Sequence, residues 1–265
     1  MKAADKELML DKFAKREVKA NEIFQIVEIG KEPAYDFVRR YHYLGAAKFF
    51  AKFSYGLFFG TELVGVATFA CPQGSEALKG WFGLPNNDQS VMELTRLCML
   101  PKLNGTNATS FLLGGAIRKL KPKGIRAVIT LATSDRHVGS IYQVCNFQYY
   151  GLTDAKCDFW AFDTQSKPRG KVKDLQGVWV SKPRKHRYAY ILDKKLKCLY
   201  AEAPRPSLDM IVPYSCCNGT HIITDKRYGV DYTCPICTGR LFKIINGAEI
   251  PPEAVEYKQA QISLF

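Results

Sequence analysis

The chain has 265 residues with a net charge of +13, and 47% of them are hydrophobic, which argues against a disordered protein. It contains no apolar run near the roughly 18 residues that a membrane-spanning helix needs. The charged segment 1–19 lacks the apolar stretch of a signal peptide. The composition therefore predicts a cytoplasmic protein with reduced cysteines and no membrane partner.

Strands and helices are predicted to alternate over the first 163 residues. Helices are predicted at 1–20, at 33–43, from the turn 102–110 to about 120, and at 138–146. Strands are predicted at 24–29, 55–59, 63–70, 91–100, 127–133, 147–153 and 157–163. Alternation after an initial hairpin predicts a mixed sheet flanked by helices, which is an α/β (α+β) fold.

The segment 133–151 contains the polar residues that most strongly suggest a site. An apolar strand leads into a loop with Asp135 and His137, and a short helix with Tyr142 and Asn146 follows. Ligands of open α/β sheets bind beyond the carboxyl ends of the strands. The sequence therefore predicts a functional site at this edge of the sheet.

Positive charge is concentrated between Lys167 and Lys197, where eleven Lys or Arg accompany two acidic residues. Trp179, Tyr188 and Tyr190 are interleaved with these charges, a combination typical of nucleic-acid contacts. The alternative interpretation of this segment is a solvated basic linker. Two further strands are predicted within it, at 178–180 and 186–192, either at the edge of the sheet or as a basic flap. The predicted DNA contacts are Lys182, Arg184, Lys185, His186 and Arg187.

A second module is predicted after a proline-rich linker that begins near residue 199. Its Cys234-Pro-Ile-Cys237 knuckle has the spacing of a zinc site, and Cys216, Cys217 and His221 supply the other candidate ligands. Two sets of four ligands are possible. The first consists of either Cys216 or Cys217 together with His221, Cys234 and Cys237. The second consists of all four cysteines without His221. We expect a structural Zn²⁺ that folds a zinc-ribbon-like module. The predicted domains are 1–198, with 164–198 as a basic DNA-contacting extension, and 199–265.

Several motifs in order resemble the phage Mom family of GNAT-like DNA-modification enzymes over roughly residues 35–195. The motifs lie at 41–43, 56–60 with 63–66, 93–97, 107–110, 135 with 139–147, 150–151 and 184–188. The resemblance implies a GNAT-like fold, a double-stranded DNA partner and, for a phage-encoded chain, the host cytoplasm. It also implies transfer of a carbamoylmethyl group to the exocyclic nitrogen of adenine, which blocks host restriction.

The resemblance also implies roles for individual residues. Motif by motif, the functional serine of the family falls on Ser110, its aspartate on Asp135 and its tyrosine on Tyr142. Predicted substrate or donor contacts are Arg96, Asn107, His42, His137 and Asn146. The donor implied is acetyl-CoA or another acyl donor. The turn 104–110 lacks the Arg/Gln-x-x-Gly-x-Gly/Ala pattern of ordinary GNAT enzymes, so donor contacts are expected to differ from theirs.

The chemistry of an adenine amino group favours the same residues, because this weak nucleophile needs a base and a charge-stabilising donor. Asp135 is the predicted base or the group that orients it, with His137 as an alternative base. Tyr142 is the predicted acid, and Ser110 positions the donor. Each of these residues also has a purely structural interpretation. Tyr142 would be a core residue, and Asp135 and Ser110 would cap or begin the helices that follow them. Arg96 would form a structural ion pair with Glu93.

Two other functions compete with DNA modification. One is a GNAT N-acetyltransferase that acts on an amine or a protein. The other is a non-catalytic, basic zinc-ribbon DNA-binding protein.

Overall fold

The structure is a computed structural model of the chain. It describes residues 3–42, 49–74, 76–134, 137–162, 167, 175–208, 222–225, 230–235, 243–245 and 248–250. The predicted base Asp135 and the predicted zinc ligands Cys216, Cys217, His221 and Cys237 lie outside these residues.

The chain divides into two compact units, and their boundaries differ from the predicted boundary at residue 198. The first unit comprises Met1–Ala132, His137–Leu152 and His186–Ser207. The second comprises Thr133–Arg136, Thr153–Lys185 and Leu208–Phe265. Part of the predicted basic extension therefore belongs to the second unit.

The predicted helices and strands of the first 163 residues occur in the predicted order, with shifted ends. The predicted helix 1–20 is shorter and is followed by a separate short helix, and the strands beyond residue 220 were not predicted. The α-helices are α1 (Ala3–Ala14), α2 (Ala20–Ile23), α3 (Lys31–Tyr41), α4 (Ala77–Phe82), α5 (Ala108–Leu120) and α6 (Ser140–Val144). The strands are β1 (Phe24–Glu28), β2 (Phe53–Phe59), β3 (Glu62–Ala70), β4 (Val91–Met99), β5 (Ala127–Thr133), β6 (Gln148–Leu152), β7 (Lys156–Ala161), β8 (Gly177–Lys182), β9 (Lys185–Ile191), β10 (Ile222–Asp225), β11 (Val230–Thr233), β12 (Lys243–Ile245) and β13 (Ala248–Ile250).

A seven-stranded mixed sheet in the order β1-β2-β3-β4-β5-β9-β6 confirms the predicted mixed sheet of an α/β (α+β) fold. Strands β1 to β4 pair antiparallel, β4 and β5 pair parallel, and β6 pairs antiparallel with β9. The prediction for β9 is wrong, because this strand lies inside the sheet between β5 and β6 and is neither an edge strand nor a flap.

The main core lies between this sheet and the helices that cover it. Helix α5 buries Leu112, Leu113 and Ala116, and α3 buries Phe37 and Val38, all in one hydrophobic cluster with the strands. This burial follows the apolar periodicity of both helices, which removes one face of each from water.

The second unit contains a hairpin of β7 with β8 and a four-stranded antiparallel sheet in the order β10-β11-β12-β13. Val178, Val180 and Tyr232 form its small buried cluster. The structure describes Cys234, which is fully buried directly after β11. Within the part of the chain that is described, no helix is long and apolar enough to cross a membrane.

Candidate active site

The parallel ladder between β4 and β5 is short. It joins Val91–Glu93 to Ala127–Ile129, although β4 continues to Met99 and β5 to Thr133. The two strands therefore separate toward their carboxyl ends. Ligands of open α/β sheets bind at such a break, beyond the carboxyl ends of the strands. The gap between β4 and β5 is called the cleft below.

A β-bulge at Thr95 bends β4 beside the cleft. Thr68 of β3 is opposite Arg96 and Phe69 is opposite Leu94, so Thr95 is the extra residue. The Thr95 hydroxyl lies 2.8 Å from the Thr68 hydroxyl, and it is 3.0 Å from the Phe50 carbonyl oxygen, to which it donates. The bulge therefore ties β4 both to its neighbouring strand and to the segment that precedes β2.

Arg96 and His42 come together at this bulge. The Arg96 guanidinium lies 4.9 Å from the centre of the Phe49 ring, and its Nη1 donates to the Thr95 carbonyl oxygen over 2.6 Å. Burial and the positive charge of Arg96 lower the pKa of His42, which follows the end of α3. His42 is therefore mostly neutral near pH 7, with Arg96 as the nearby fixed cation.

Ser110 lies in the first turn of α5, which follows β4 along the chain. Its hydroxyl donates to the Asn107 carbonyl oxygen over 2.9 Å. Asn107 is the N-cap residue, but its side chain makes no capping hydrogen bond. Asn107 is exposed and Ser110 is half-buried. The Ser110 hydroxyl therefore stabilises the first turn of α5, as the structural interpretation predicts. The side chain is also partly exposed, so a ligand can reach it.

Tyr142 lies on α6, which packs against the first turn of α5. The Cys145 thiol at the end of α6 lies 3.9 Å from the Ser110 carbonyl oxygen. The half-buried Tyr142 ring lies 5.4 Å from that of Tyr188 and 5.6 Å from that of Phe147. The structure therefore brings the helix that carries Tyr142 close to Ser110, while the Tyr142 ring belongs partly to the core.

Gly139 permits this arrangement at the start of α6. Its φ is +75°, and an added Cβ atom would lie 2.7 Å from the Tyr188 ring and 2.9 Å from the Tyr142 ring. Both the left-handed backbone and the close rings exclude a larger residue. Glycine at this position therefore fixes how α6 and Tyr142 pack on the sheet.

Asn146 terminates α6 through its backbone. Its φ is +61°, its N–H donates to the Gln143 carbonyl oxygen, and the N–H of Phe147 donates to that of Tyr142. These two hydrogen bonds form a Schellman motif, in which the residue after the helix adopts the left-handed conformation. The predicted ligand contact is not required to explain this asparagine.

Two buried polar residues on neighbouring strands were not predicted as a pair. His186 is only 2% exposed, and its Nδ1 lies 2.9 Å from the Tyr149 hydroxyl. Its Nε2 has no hydrogen-bond partner among the described residues. Burial, followed by the nearby His137, lowers the pKa of His186. The predicted DNA contact of His186 is therefore wrong, because the side chain is enclosed and favours the neutral form.

Tyr188 extends this buried group. It is fully buried, its hydroxyl donates to the Val138 carbonyl oxygen, and Gln143 Nε2 donates to the hydroxyl over 3.1 Å. Burial is the main cause that raises the pKa of Tyr188 to about 12. Tyr188 therefore stays protonated and fixes the loop that leads into α6.

The other predicted DNA contacts differ in their surroundings. Arg184 and Lys185 are exposed, whereas Lys182 and Arg187 are half-buried. Lys182 Nζ lies 2.7 Å from a carboxylate oxygen of Asp158. The Arg187 guanidinium lies 4.3 Å from the centre of the Tyr200 ring. Arg184 and Lys185 are thus the members whose charges are most accessible to a phosphate.

The zinc site stays a prediction. No group of three or more His, Cys, Asp or Glu that could hold a metal occurs among the described residues. Cys234 is the one predicted ligand that the structure describes, and its burial directly after a strand fits a ligand of a structural ion.

We predict that Asn146→Gly leaves the free energy of unfolding unchanged or raises it. Asn146→Ala should lower it by about 1–2 kcal/mol, because a Cβ without a local polar group disfavours the left-handed conformation. Urea unfolding of the two variants and the wild type measures this difference. Equal stability of Asn146→Ala and the wild type would contradict the backbone role.

We also predict that acid weakens the fold through His186. The lowered pKa of folded His186 means that the unfolded chain takes up this proton first as the pH falls through about 6.5. Stability is therefore retained above that pH and lost below it, with a slope of at most about 1.4 kcal/mol per pH unit for one proton. His186→Gln should show a smaller loss in urea unfolding between pH 7.5 and 5.5. Identical losses in both proteins would refute the prediction.

Comparison with known proteins gives one family and a set of distant structures. No curated protein matches the chain. The IAA acetyltransferase from Bacillus cereus is 17% identical with a TM-score of 0.41, covering 64% of this chain and 99% of its own. The ribosomal-protein-S18-alanine N-acetyltransferase from Escherichia coli is 10% identical with a TM-score of 0.42, covering 64% and 95%. An acetyl-CoA-bound GNAT acetyltransferase from Elizabethkingia anophelis is 14% identical with a TM-score of 0.39, covering 64% and 98%.

The family match covers the greater part of the chain, including the cleft and the helices beside it. The model of the Mom protein family matches residues 23–207, so this chain belongs to the Mom family.

Proposed function

We propose that the protein is a transferase that places a carbamoylmethyl (acetamido) group on the exocyclic N6 of adenine in duplex DNA. This modification would protect the DNA against restriction. Membership of the Mom family supports the proposal. The structural observation that carries it is the packing of α6 on the first turn of α5, which brings the Tyr142 helix and Ser110 together where β4 and β5 separate.

The reaction needs a proton acceptor and a proton donor on opposite sides of the bond that changes. The N6 atom attacks an electrophilic carbon of the donor, the bond from that carbon to the leaving group breaks, and N6 loses a proton. A base in the loop after β5 accepts this proton; Asp135 is the proposed base and His137 the alternative. The Tyr142 phenol donates a proton to the leaving group, a contribution that is typically worth 10²–10⁴ in rate.

Arg96 and His42 are proposed to hold the target base. Arg96 is fixed by the Phe49 ring and by the Thr95 carbonyl, so its position requires no reorganisation in the transition state. His42 favours the neutral form, in which one ring nitrogen accepts and the other donates a hydrogen bond. That pattern suits the edge of an adenine.

The proposed donor is acetyl-CoA or another acyl donor. Attack of N6 on the thioester carbonyl of acetyl-CoA would release the CoA thiol and leave an N6-acetyl group. The carbamoylmethyl product therefore requires a donor whose leaving group is carried by the methylene carbon of a –CH2–CO–NH2 unit. The N–H of Ala108 at the start of α5 donates to the Thr106 hydroxyl over 3.3 Å. The other N–H groups of a helix's first turn have no acceptor within the helix and favour an anion such as a phosphate. Thr106 and Ser110 place hydroxyl groups in the same turn. The proposed Zn²⁺ is structural, so the reaction takes no step through it.

The proposed polynucleotide partner accounts for the charge of the chain. A net charge of +13 favours a polyanion, and the exposed Arg184 and Lys185 can neutralise phosphates. Because the amino group of a paired adenine is hidden in the stack, the enzyme must move the base out of the duplex before it reacts.

We expect mass spectrometry of nucleosides to reveal the reaction. Plasmid DNA from cells that express the wild type should contain a deoxyadenosine heavier by a carbamoylmethyl group. With Tyr142→Phe, this nucleoside should fall by at least about 100-fold, because the phenol no longer supplies a proton.

Tyr190→Phe is the matched control, since this half-buried tyrosine packs on the same Phe147 ring and is assigned no chemical step. It should leave the modified nucleoside near the wild-type level. Unmodified adenine together with a different modified base would mean that the protein modifies DNA but that adenine is not its substrate. Only ordinary nucleosides from well-expressed, folded protein would contradict the proposal and favour an acetyltransferase of another amine or a binding protein.

A further inference from the structure

The described residues that lead directly into β2, 49–52, present the aromatic side chain of Phe50 to solvent. Of the aromatic residues that the structure describes between positions 41 and 55, Phe49 and Tyr55 are buried, at 8% and 0% exposure. Phe53 is half-buried under Lys52 and Lys123. Tyr41 is 43% exposed, and Phe50 is 65% exposed. Among the aromatic residues that the structure describes, Phe50 thus has the largest exposed fraction.

The backbone at Phe50 is held on both sides. The Phe50 carbonyl oxygen accepts the hydrogen bond from Thr95 of the bulge, and the N–H of Lys52 donates to the Phe69 carbonyl oxygen over 2.7 Å. The preceding Phe49 ring is stacked 4.2 Å from the Tyr35 ring, with an interplanar angle of 11°. Tyr35 also donates a hydrogen bond to the Phe49 carbonyl oxygen. The Phe50 side chain is therefore exposed on a fixed support.

This support belongs to the proposed site. Thr95, which binds the Phe50 carbonyl, directly precedes Arg96, and Arg96 lies over the ring of Phe49. The exposed cation Lys52 follows Phe50 by two residues. An exposed phenyl ring close to a cation complements a ligand that combines planar apolar surfaces with a line of negative charge.

A base stack is such a ligand. A base that leaves the duplex opens a gap between its neighbours, and proteins that deform DNA fill such gaps with apolar side chains, including phenylalanine. Filling the gap recovers stacking that would otherwise be lost. The preorganised backbone of Phe50 lowers the ordering cost of such an insertion.

We propose that Phe50 enters the base stack of duplex DNA at the position that the target adenine leaves, and that it thereby holds this adenine in the cleft. This inference rests on the proposed function. Lys52 contacts a neighbouring phosphate, and Arg96 and His42 receive the base.

The test uses a duplex with 2-aminopurine in place of the target adenine, whose fluorescence rises when the base is unstacked. Wild-type protein should raise this fluorescence at saturating concentration. Phe50→Ala should reduce the rise, and the rate of adenine modification in a matched natural duplex, by about tenfold. Phe50→Trp retains an aromatic surface and should recover most of both signals. Leu8→Ala removes another exposed apolar side chain, which is 57% exposed on α1, and should change neither.

The outcomes separate this proposal from the proposed function. If the wild type modifies adenine and unstacks the probe but Phe50→Ala does both equally well, the role of Phe50 is refuted and the function stands. Loss of the fluorescence rise in Trp179→Ala alone would assign the insertion to the exposed Trp179 of the second unit and would also overturn the proposal. If the wild type neither modifies nor unstacks any duplex, the proposed function fails first. Thermal unfolding of each variant confirms that it is folded.

Discussion

The early end of hydrogen bonding between β4 and β5 is the constraint on which the site depends. A parallel ladder that continued to Met99 and Thr133 would close the sheet and leave no cleft. The bulge at Thr95 bends β4 at this point, and its hydroxyl also fixes the carbonyl of Phe50. One irregular residue in a strand thus organises both the opening and the segment beside it.

Aromatic packing fixes the opposite side of the cleft. Helix α6 has only five residues, too few to be stable by itself, and its position depends on tertiary contacts. Tyr188 holds the loop before the helix, and the Schellman motif at Asn146 ends it. Gly139 removes the side chain that would separate the rings of Tyr142 and Tyr188. The proposed proton donor is therefore placed by the core itself.

Most elements of the first unit were predictable because hydrophobic periodicity is a local property. The place of β9 was not, since its basic residues suggested a surface strand and the order of strands in a sheet depends on distant pairing. Its alternation was nevertheless visible: Lys185 and Arg187 alternate with the buried His186 and Tyr188. The contact of His186 with Tyr149 joins two strands and has no local signature. Asn146 was assigned a ligand because sequence alone does not reveal a left-handed backbone.

The most direct test of the account is to locate the reacting base on the protein. A duplex with 8-azidoadenine at the target position can be photocrosslinked to the wild-type protein and the crosslinked peptides identified by mass spectrometry. The account predicts crosslinks to residues that border the cleft, within β4, the loop after β5, or the segment of Phe50. Crosslinks confined to α1 and β1 would contradict it, because β2 and β3 separate β1 from β4 in the sheet and the base would then be bound away from the cleft.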